Sequence, residues 1–305
     1  MTSAAGIGLD IGATKTLGVL TDELGQVRAE VRIPTRPGAD GVLGTAVDVV
    51  TDLRARTRSQ LWPVGIGIPG LVDVELGAVR HAVNLDLDGT SLPLAAELES
   101  RLGLPVLVEN DVNAASIGAT SLLSPGARRD LAYISIGTGF AAGLVLDGHL
   151  RRGAHGAAGE IGHIPVDPEG PLCACGLRGC LETVASGSAL AAAWPGTDDV
   201  PAAVAVFEAA GAGDEQAIAV RDRFAAAVAA GVRLLCLTVD VETVVIGGGV
   251  TQVGEPLRHA VARALRAQAE SSGFLGSLGL AERIRLVPTD YPVAAIGAAL
   301  LGRPA

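Results

Sequence analysis

The chain has 305 residues, 49% of them hydrophobic, with 33 acidic against 23 basic side chains and a formal net charge of −10. That length allows two domains with cores of their own, and the lack of any basic cluster excludes a nucleic-acid footprint. The most apolar segment, 224–250, is cut by Arg233, Asp240 and Glu242, which excludes a membrane span, and no basic-then-apolar leader is seen, so a cytoplasmic protein is expected.

Residues 5–10 form an apolar strand pattern ending in Asp10-Ile11-Gly12-Ala13-Thr14-Lys15, after which 16–20 resume as a strand. The pair reads as a hairpin with a small-residue turn. Gly12 and Ala13 leave backbone N–H groups open to a phosphate, Thr14 adds a hydroxyl, and Asp10 at the strand end is placed to hold Mg²⁺ through water. An ordinary hairpin has the same composition. It is not a Walker loop, because a strand follows instead of a helix.

Shifting the chain by 125 positions lays Ile11, Gly12, Gly18 and Asp22 on Ile136, Gly137, Gly143 and Asp147. A second strand, glycine turn and strand therefore runs over 133–147, with Gly137-Thr138-Gly139 as its turn. Two matched turns predict duplicated α/β domains facing each other, with a nucleotide in the cleft between.

Between the turns come a strand over 27–33, a helix over 41–58, and a strand over 64–69 that ends in Pro69-Gly70, with Leu71-Val72-Asp73 as a turn. A polar loop follows from Asn84 to Gly89, then a helix over 92–102 and a buried strand over 105–109. Asn110 and Asp111 open the next helix. Either is a good N-cap, and a carboxylate at a strand-to-helix junction is also placed to act on a substrate beyond the strand's carboxyl end. The chain holds 22 Arg but one Lys, and only three Asn. The residues that remain, Lys15, Asn84, Asn110 and Asn113, fall within these motifs, where a guanidinium fork or another amide has the wrong shape.

Three of the four cysteines lie behind a histidine in the stretch 159–182. His163, Cys173, Cys175 and Cys180 supply one imidazole and three thiolates, a set that suits a closed, structural zinc site. Glu160 and Glu182 flank the ligands. A clip that fixes the loop would fix both acids to accept hydrogen bonds from a polyhydroxyl ligand, and solvated surface glutamates are the alternative. Cys236 falls in an apolar helical pattern as a core residue. Helices are expected over 181–193, 200–210, 215–237, 255–269 and 293–301, with strands over 243–246 and 284–287. Gly247-Gly248-Gly249 permits close approach to adenine and equally permits a tight turn.

Together, Asp10–Lys15, Glu109-Asn-Asp-Val-Asn-Ala114, Gly137–Gly139, Gly159-Glu-Ile-Gly-His163, Cys173–Glu182 and Gly247–Gly249 resemble the ROK family of bacterial sugar kinases and related repressors. The resemblance covers nearly the whole chain. It implies two actin-like (ribonuclease H-like) α/β domains with a cleft between them and the zinc-stapled loop in the second. One would hold 1–115 and about 290–305, the other about 116–289, with the last helix packed on the first. It further implies Asp111 as general base, and Asn84, Asn110, Asp111, Glu160, His163 and Glu182 as sugar contacts. Asp10, Gly12, Thr14, Lys15, Gly137, Thr138, Gly139, Gly248 and Gly249 become nucleotide contacts. His163 then serves zinc with one ring nitrogen and the sugar with the other. Phe140-Ala141-Ala142 stands where many members have glycine-rich sequence.

The implied reaction is transfer of the γ-phosphoryl group of ATP, with Mg²⁺, to a hexose, glucose at the 6-hydroxyl first among them. N-Acetylmannosamine and N-acetylglucosamine remain alternative acceptors. A sugar-sensing regulator without turnover is the reading of another class. Against it stand Asp111, both phosphate turns and the lack of a helix-turn-helix segment. The family's habit implies a homodimer or homotetramer.

Overall fold

The alternation of Ile7, Leu9 and Ile11 with Gly8 and Asp10 makes strand β1 (Ala4–Ile11), in which the three large side chains are fully buried. A computed structural model describes residues 4–22, 25–58, 60–87, 89, 91–123, 130–194 and 200–303. It divides the chain into two units. One comprises Met1–Ala127, Arg152–Gly156 and Pro292–Ala305, the other Arg128–Arg151 and Ala157–Tyr291.

In the first unit β1 turns directly into β2 (Lys15–Thr21), and β3 (Val27–Pro34) continues the antiparallel meander. Helix α1 (Ala39–Ala55) buries Val42, Leu43, Ala46, Val49, Val50 and Leu53, an apolar stripe at helical spacing. Strands β4 (Gln60–Leu61) and β5 (Val64–Ile68) both run parallel to β1. Leu71-Val72-Asp73 is not a bare turn: it is β6 (Leu71–Asp73), paired with β7 (Ala78–Arg80). The turn itself lies just beyond, where Asp73 Oδ1 accepts the Glu75 and Leu76 N–H groups. Helix α2 (Leu94–Leu102) leads to β8 (Val106–Asn110) and directly into α3 (Asp111–Ala119). The sheet order is β3-β2-β1-β5-β8.

The second unit begins with β9 (Leu131–Ile136), β10 (Phe140–Leu146) and a short β11 (His149–Leu150). Ser186 interrupts the single helix expected over 181–193, leaving α4 (Glu182–Ala185) and α5 (Gly187–Ala193). Its hydroxyl caps α5 by accepting the Ala189 N–H, and the break aims the Gly187 N–H at the Gly137 carbonyl, 2.8 Å away. Then follow α6 (Ala202–Gly211), the long α7 (Glu215–Val239), β12 (Thr243–Gly247), α8 (Glu255–Glu270), a short α9 (Gly273–Ser277) and β13 (Ile284–Leu286). Phe224, Val228, Val232 and Leu235 carry the core along α7, where Cys236 is also buried. The order is β11-β10-β9-β12-β13.

The two sheets repeat one plan: an antiparallel hairpin whose first strand pairs in parallel with a later strand, which pairs in parallel with a further one. Even the hairpin tips keep the displacement of 125, since β1 ends at Ile11 and β9 at Ile136, while β2 starts at Lys15 and β10 at Phe140. The last helix, α10 (Val293–Leu301), belongs to the first unit. Its small residues allow backbone contact: a Cβ on Gly297 would overlap the Ala114 carbonyl of α3, and one on Gly65 would overlap the Ala298 carbonyl. No described helix is long and apolar enough to cross a membrane.

Candidate functional site

Strand register brings the first unit's candidate site residues to one corner. Asp10 lies opposite Gly67, Gly67 opposite Glu109, and Ile68 opposite Asn110. Asp10 and Asn110 thus sit at the carboxyl ends of parallel strands, where α/β sheets place their ligands. Asn110 is the cap of α3: its Oδ1 accepts the Val112 and Asn113 N–H groups at 3.0 and 3.2 Å, and its Nδ2 donates to the Gly70 carbonyl at 3.3 Å. This settles which of the two neighbours caps the helix. Asp111 becomes the first helical residue, with Oδ1 2.9 Å from the Val112 N–H.

Burial, with the Asp111 charge beside it, pushes the Asp10 carboxyl up to about 7, while Lys15 acts in the opposite direction. A divalent cation would relieve both carboxylates, so this pair fits the Mg²⁺ expected at Asp10. The turn after β1 is held by the Gly12 N–H on the Lys15 carbonyl at 3.0 Å, and Ala13, Thr14 and Lys15 are exposed. Asn84 is exposed in a 3-10 turn, Val83–Leu85, anchored to the α1 entry by the Gly38 N–H on the Leu85 carbonyl. Asp88 of the same polar loop lies outside the described residues.

Two residues of this unit were missed by sequence reasoning. Glu109, 2% exposed, accepts from Asn110 N and Asn113 Nδ2 through Oε1, both at 3.0 Å, and from Arg152 Nε through Oε2 at 2.7 Å. A glutamate ending an apolar strand was the available signal for one partner; nothing local pointed to Arg152.

In the second unit the four expected zinc ligands come together, with their donor atoms within 4.8 Å of one another. Cys173 Sγ lies 3.6 Å from His163 Nδ1, and Cys175 Sγ lies 3.6 Å from Cys180 Sγ. A tetrahedral zinc with bonds of about 2.3 Å to sulfur and 2.0 Å to nitrogen has edges of about 3.8 and 3.5 Å. The cluster fits that ion. Burial pushes the Cys180 thiol up to about 12, whereas the Leu177 backbone N–H holds Cys175 below its usual range. Since Nδ1 faces the sulfurs, Nε2 of His163 points to the other side, 4.0 Å from Glu160 Oε2.

Glu182 stands two residues beyond the last thiolate and starts α4. Its Oε2 accepts the Phe140 N–H at 2.9 Å, at the edge of the Gly137-Thr138-Gly139 turn. The Phe140 ring is buried and faces Gly231 of α7, so its bulk lies in the core rather than over the turn. The triple glycine divides in function. Side chains at Gly247 and Gly248 would strike the Tyr133 ring and the Ile136 backbone, and Gly248 also has φ +88°, whereas Gly249 is exposed with nothing within 4 Å of its Cβ position. Only Gly249 is left without a packing reason.

Two α/β units on one repeated plan, each with a glycine turn and one with a Cys₃His cluster, define an actin-like, ribonuclease H-like fold of the sugar-kinase type. The chain belongs to the ROK family, whose model matches residues 6–285. It is 34% identical over 300 residues to the glucokinase of Halalkalibacterium halodurans, covering 90% of each chain. Over 290 residues it is 33% identical to the N-acetylmannosamine kinase of Citrobacter koseri, covering 90% of this chain and 98% of that one. The crystal structure of a ROK family glucokinase from Streptomyces griseus, in complex with glucose and AMPPNP, matches with a TM-score of 0.79 and 31% identity, over 98% of this chain and 99% of that one.

Proposed function

We propose that the protein is an ATP-dependent hexose kinase that phosphorylates glucose at its 6-hydroxyl. The observation that carries this reading is the corner at Asn110 and Asp111. There the neighbouring Asn110 caps the helix, and Asp111 stands at the carboxyl end of a parallel strand beside Asp10. Asp111 acts as general base, accepting the hydroxyl proton as the phosphoryl group is transferred. Asn84 and Asn110 hold the sugar from the first unit. From the second, Glu160 and Glu182 accept sugar hydroxyls, and His163 offers the Nε2 left over from its zinc-facing Nδ1.

The turns Gly12–Lys15 and Gly137–Gly139 present backbone N–H groups to the phosphates, and Gly249 leaves room for the adenosine. Mg²⁺, near Asp10, supplies neutralising charge to those phosphates when bound. His163, Cys173, Cys175 and Cys180 hold zinc in a structural role. The protein acts in the cytoplasm as a homodimer or homotetramer in this reading.

N-Acetylmannosamine is the second acceptor to consider, because similarity to the kinase from Citrobacter koseri is nearly as high as to the glucokinases. A coupled ADP-release assay with MgATP tests both against glucose, N-acetylglucosamine, N-acetylmannosamine, mannose, fructose and allose. Release with glucose well above the sugar-free control is the expected result. Release only with an N-acetylated sugar would move the assignment to that acceptor, and silence with every sugar from folded, zinc-loaded protein would overturn the kinase reading.

A further inference from the structure

The buried carboxylate of Glu109 has no part in the proposed chemistry, yet the donors around it are arranged in two sets. Oε1 takes the Asn110 N–H and the Asn113 side-chain amide, both belonging to the corner where β8 becomes α3. Oε2 takes Arg152 Nε at 2.7 Å, with Nη2 also 2.7 Å away. Arg152 is 43 residues further along and opens the segment Arg152–Gly156 that clusters with the first unit.

A carboxylate this deeply buried stays ionised only with a counter-charge and satisfied lone pairs. Take away the guanidinium, and the buried carboxylate is left without its counter-charge and turns toward water. Oε1 then loses its hold on the Asn110 N–H and the Asn113 amide. Asn110 is the cap of α3, and Asp111 is the next residue, so a loosened corner moves the carboxylate that must meet the hydroxyl.

We propose that Arg152 is a positioning residue for Asp111: it neutralises and orients Glu109, whose other oxygen locks the strand-to-helix corner that carries the base. This rests on the reading of Asp111 as general base. Lysine cannot replace it fully, because Nε donates to Oε2 while Nη2 of the same planar fork stays at ion-pair distance from it.

The test compares Arg152→Gln, Arg152→Lys, Glu109→Gln, the Glu109→Gln/Arg152→Gln double variant and, as a control, Arg151→Gln, whose side chain makes an exposed pair with Asp147. Two quantities are read: kcat and sugar KM by ADP release, and hydrogen exchange of the Val112 and Asn113 amides in sugar-free protein. Arg152→Gln should lower kcat roughly 10- to 100-fold, the penalty of a misplaced reacting group, with a smaller rise in sugar KM because Asn110 shares the loosened corner. Both amides should exchange faster. Arg152→Lys should fall between, Arg151→Gln should match wild type, and the double variant, with no stranded charge, should fold and be no slower than Arg152→Gln.

Wild-type kcat and exchange in Arg152→Gln would overturn the proposal, as would simple addition of the two single-variant effects in the double variant. If Arg152→Gln does not fold, the double variant carries the comparison. If wild type shows no sugar-dependent turnover, the functional reading fails on its own, and the exchange rates still decide whether Arg152 holds the corner.

Discussion

The Glu182 carboxylate accepts the Phe140 backbone N–H at 2.9 Å, joining the helix that leaves the zinc loop to the edge of the Gly137-Thr138-Gly139 turn. One residue thus links the Cys₃His cluster with the proposed phosphate turn inside the second unit. Glu182→Ala leaves that N–H without its partner, a loss of about 1 kcal/mol. We expect MgATP KM to rise about fivefold, and Glu182→Gln, which retains an acceptor oxygen, to rise less. Equal KM values for MgATP in all three proteins would show that the bond does not shape the turn.

Asp111→Ala should abolish turnover, with a drop of roughly 10²- to 10⁴-fold for loss of a general base. Sugar affinity, measured by calorimetry without nucleotide, should stay within about threefold. A variant that keeps a substantial rate would remove Asp111 from the role of base.

Zinc removal should loosen Glu160 and Glu182 together, because each borders the ligand set. Chelated protein is expected to lose sugar affinity at least about tenfold and recover it on zinc addition. The sign of the pH effect follows from Cys180: its thiol, raised to about 12, is protonated at neutral pH and must release that proton to bind the metal. Zinc affinity should therefore climb as pH rises from 6 to 8. A pH-independent affinity would contradict the thiolate assignment.

Asp10 supplies a stability test on the nucleotide-free protein. Its folded value of about 7 lies above the ordinary 3.8, so the folded state retains a proton that the unfolded chain gives up. The contribution of Asp10 to stability is then most favourable at low pH and declines as pH rises from about 4 to about 7. Asp10→Asn removes that part of the pH dependence. At pH 8 the variant should be more stable by roughly 1–2 kcal/mol, discounted from the full shift because Asp10 is partly exposed, and near pH 4 the gain should vanish. Urea unfolding at both pH values measures the difference.

Gly248→Ala and Gly249→Ala separate packing from ligand contact. The first puts a Cβ against the Ile136 backbone at a left-handed φ and should destabilise the fold by roughly 1–3 kcal/mol. The second meets open space and should leave the melting temperature nearly unchanged. If Gly249 faces adenosine, its variant alone should weaken MgATP without loss of stability.

What the sequence determined by itself was local or repeated. The zinc ligands span 163–180, so their spacing alone brought them together, and the displacement of 125 exposed both hairpins because each turn is built from its immediate neighbours. The apolar periods of α1, α7 and β1 likewise need no distant partner. Tertiary structure decided the rest. Glu182 meets Phe140 across 42 positions and Glu109 meets Arg152 across 43, contacts set by sheet register and chain crossover, which residue order does not encode locally. The same holds for the break at Ser186, whose reason is a carbonyl at Gly137, and for the glycines at 247 and 248, whose neighbours arrive from β9. A residue's type limits which hydrogen bonds and contacts it can make; only the fold supplies the partner.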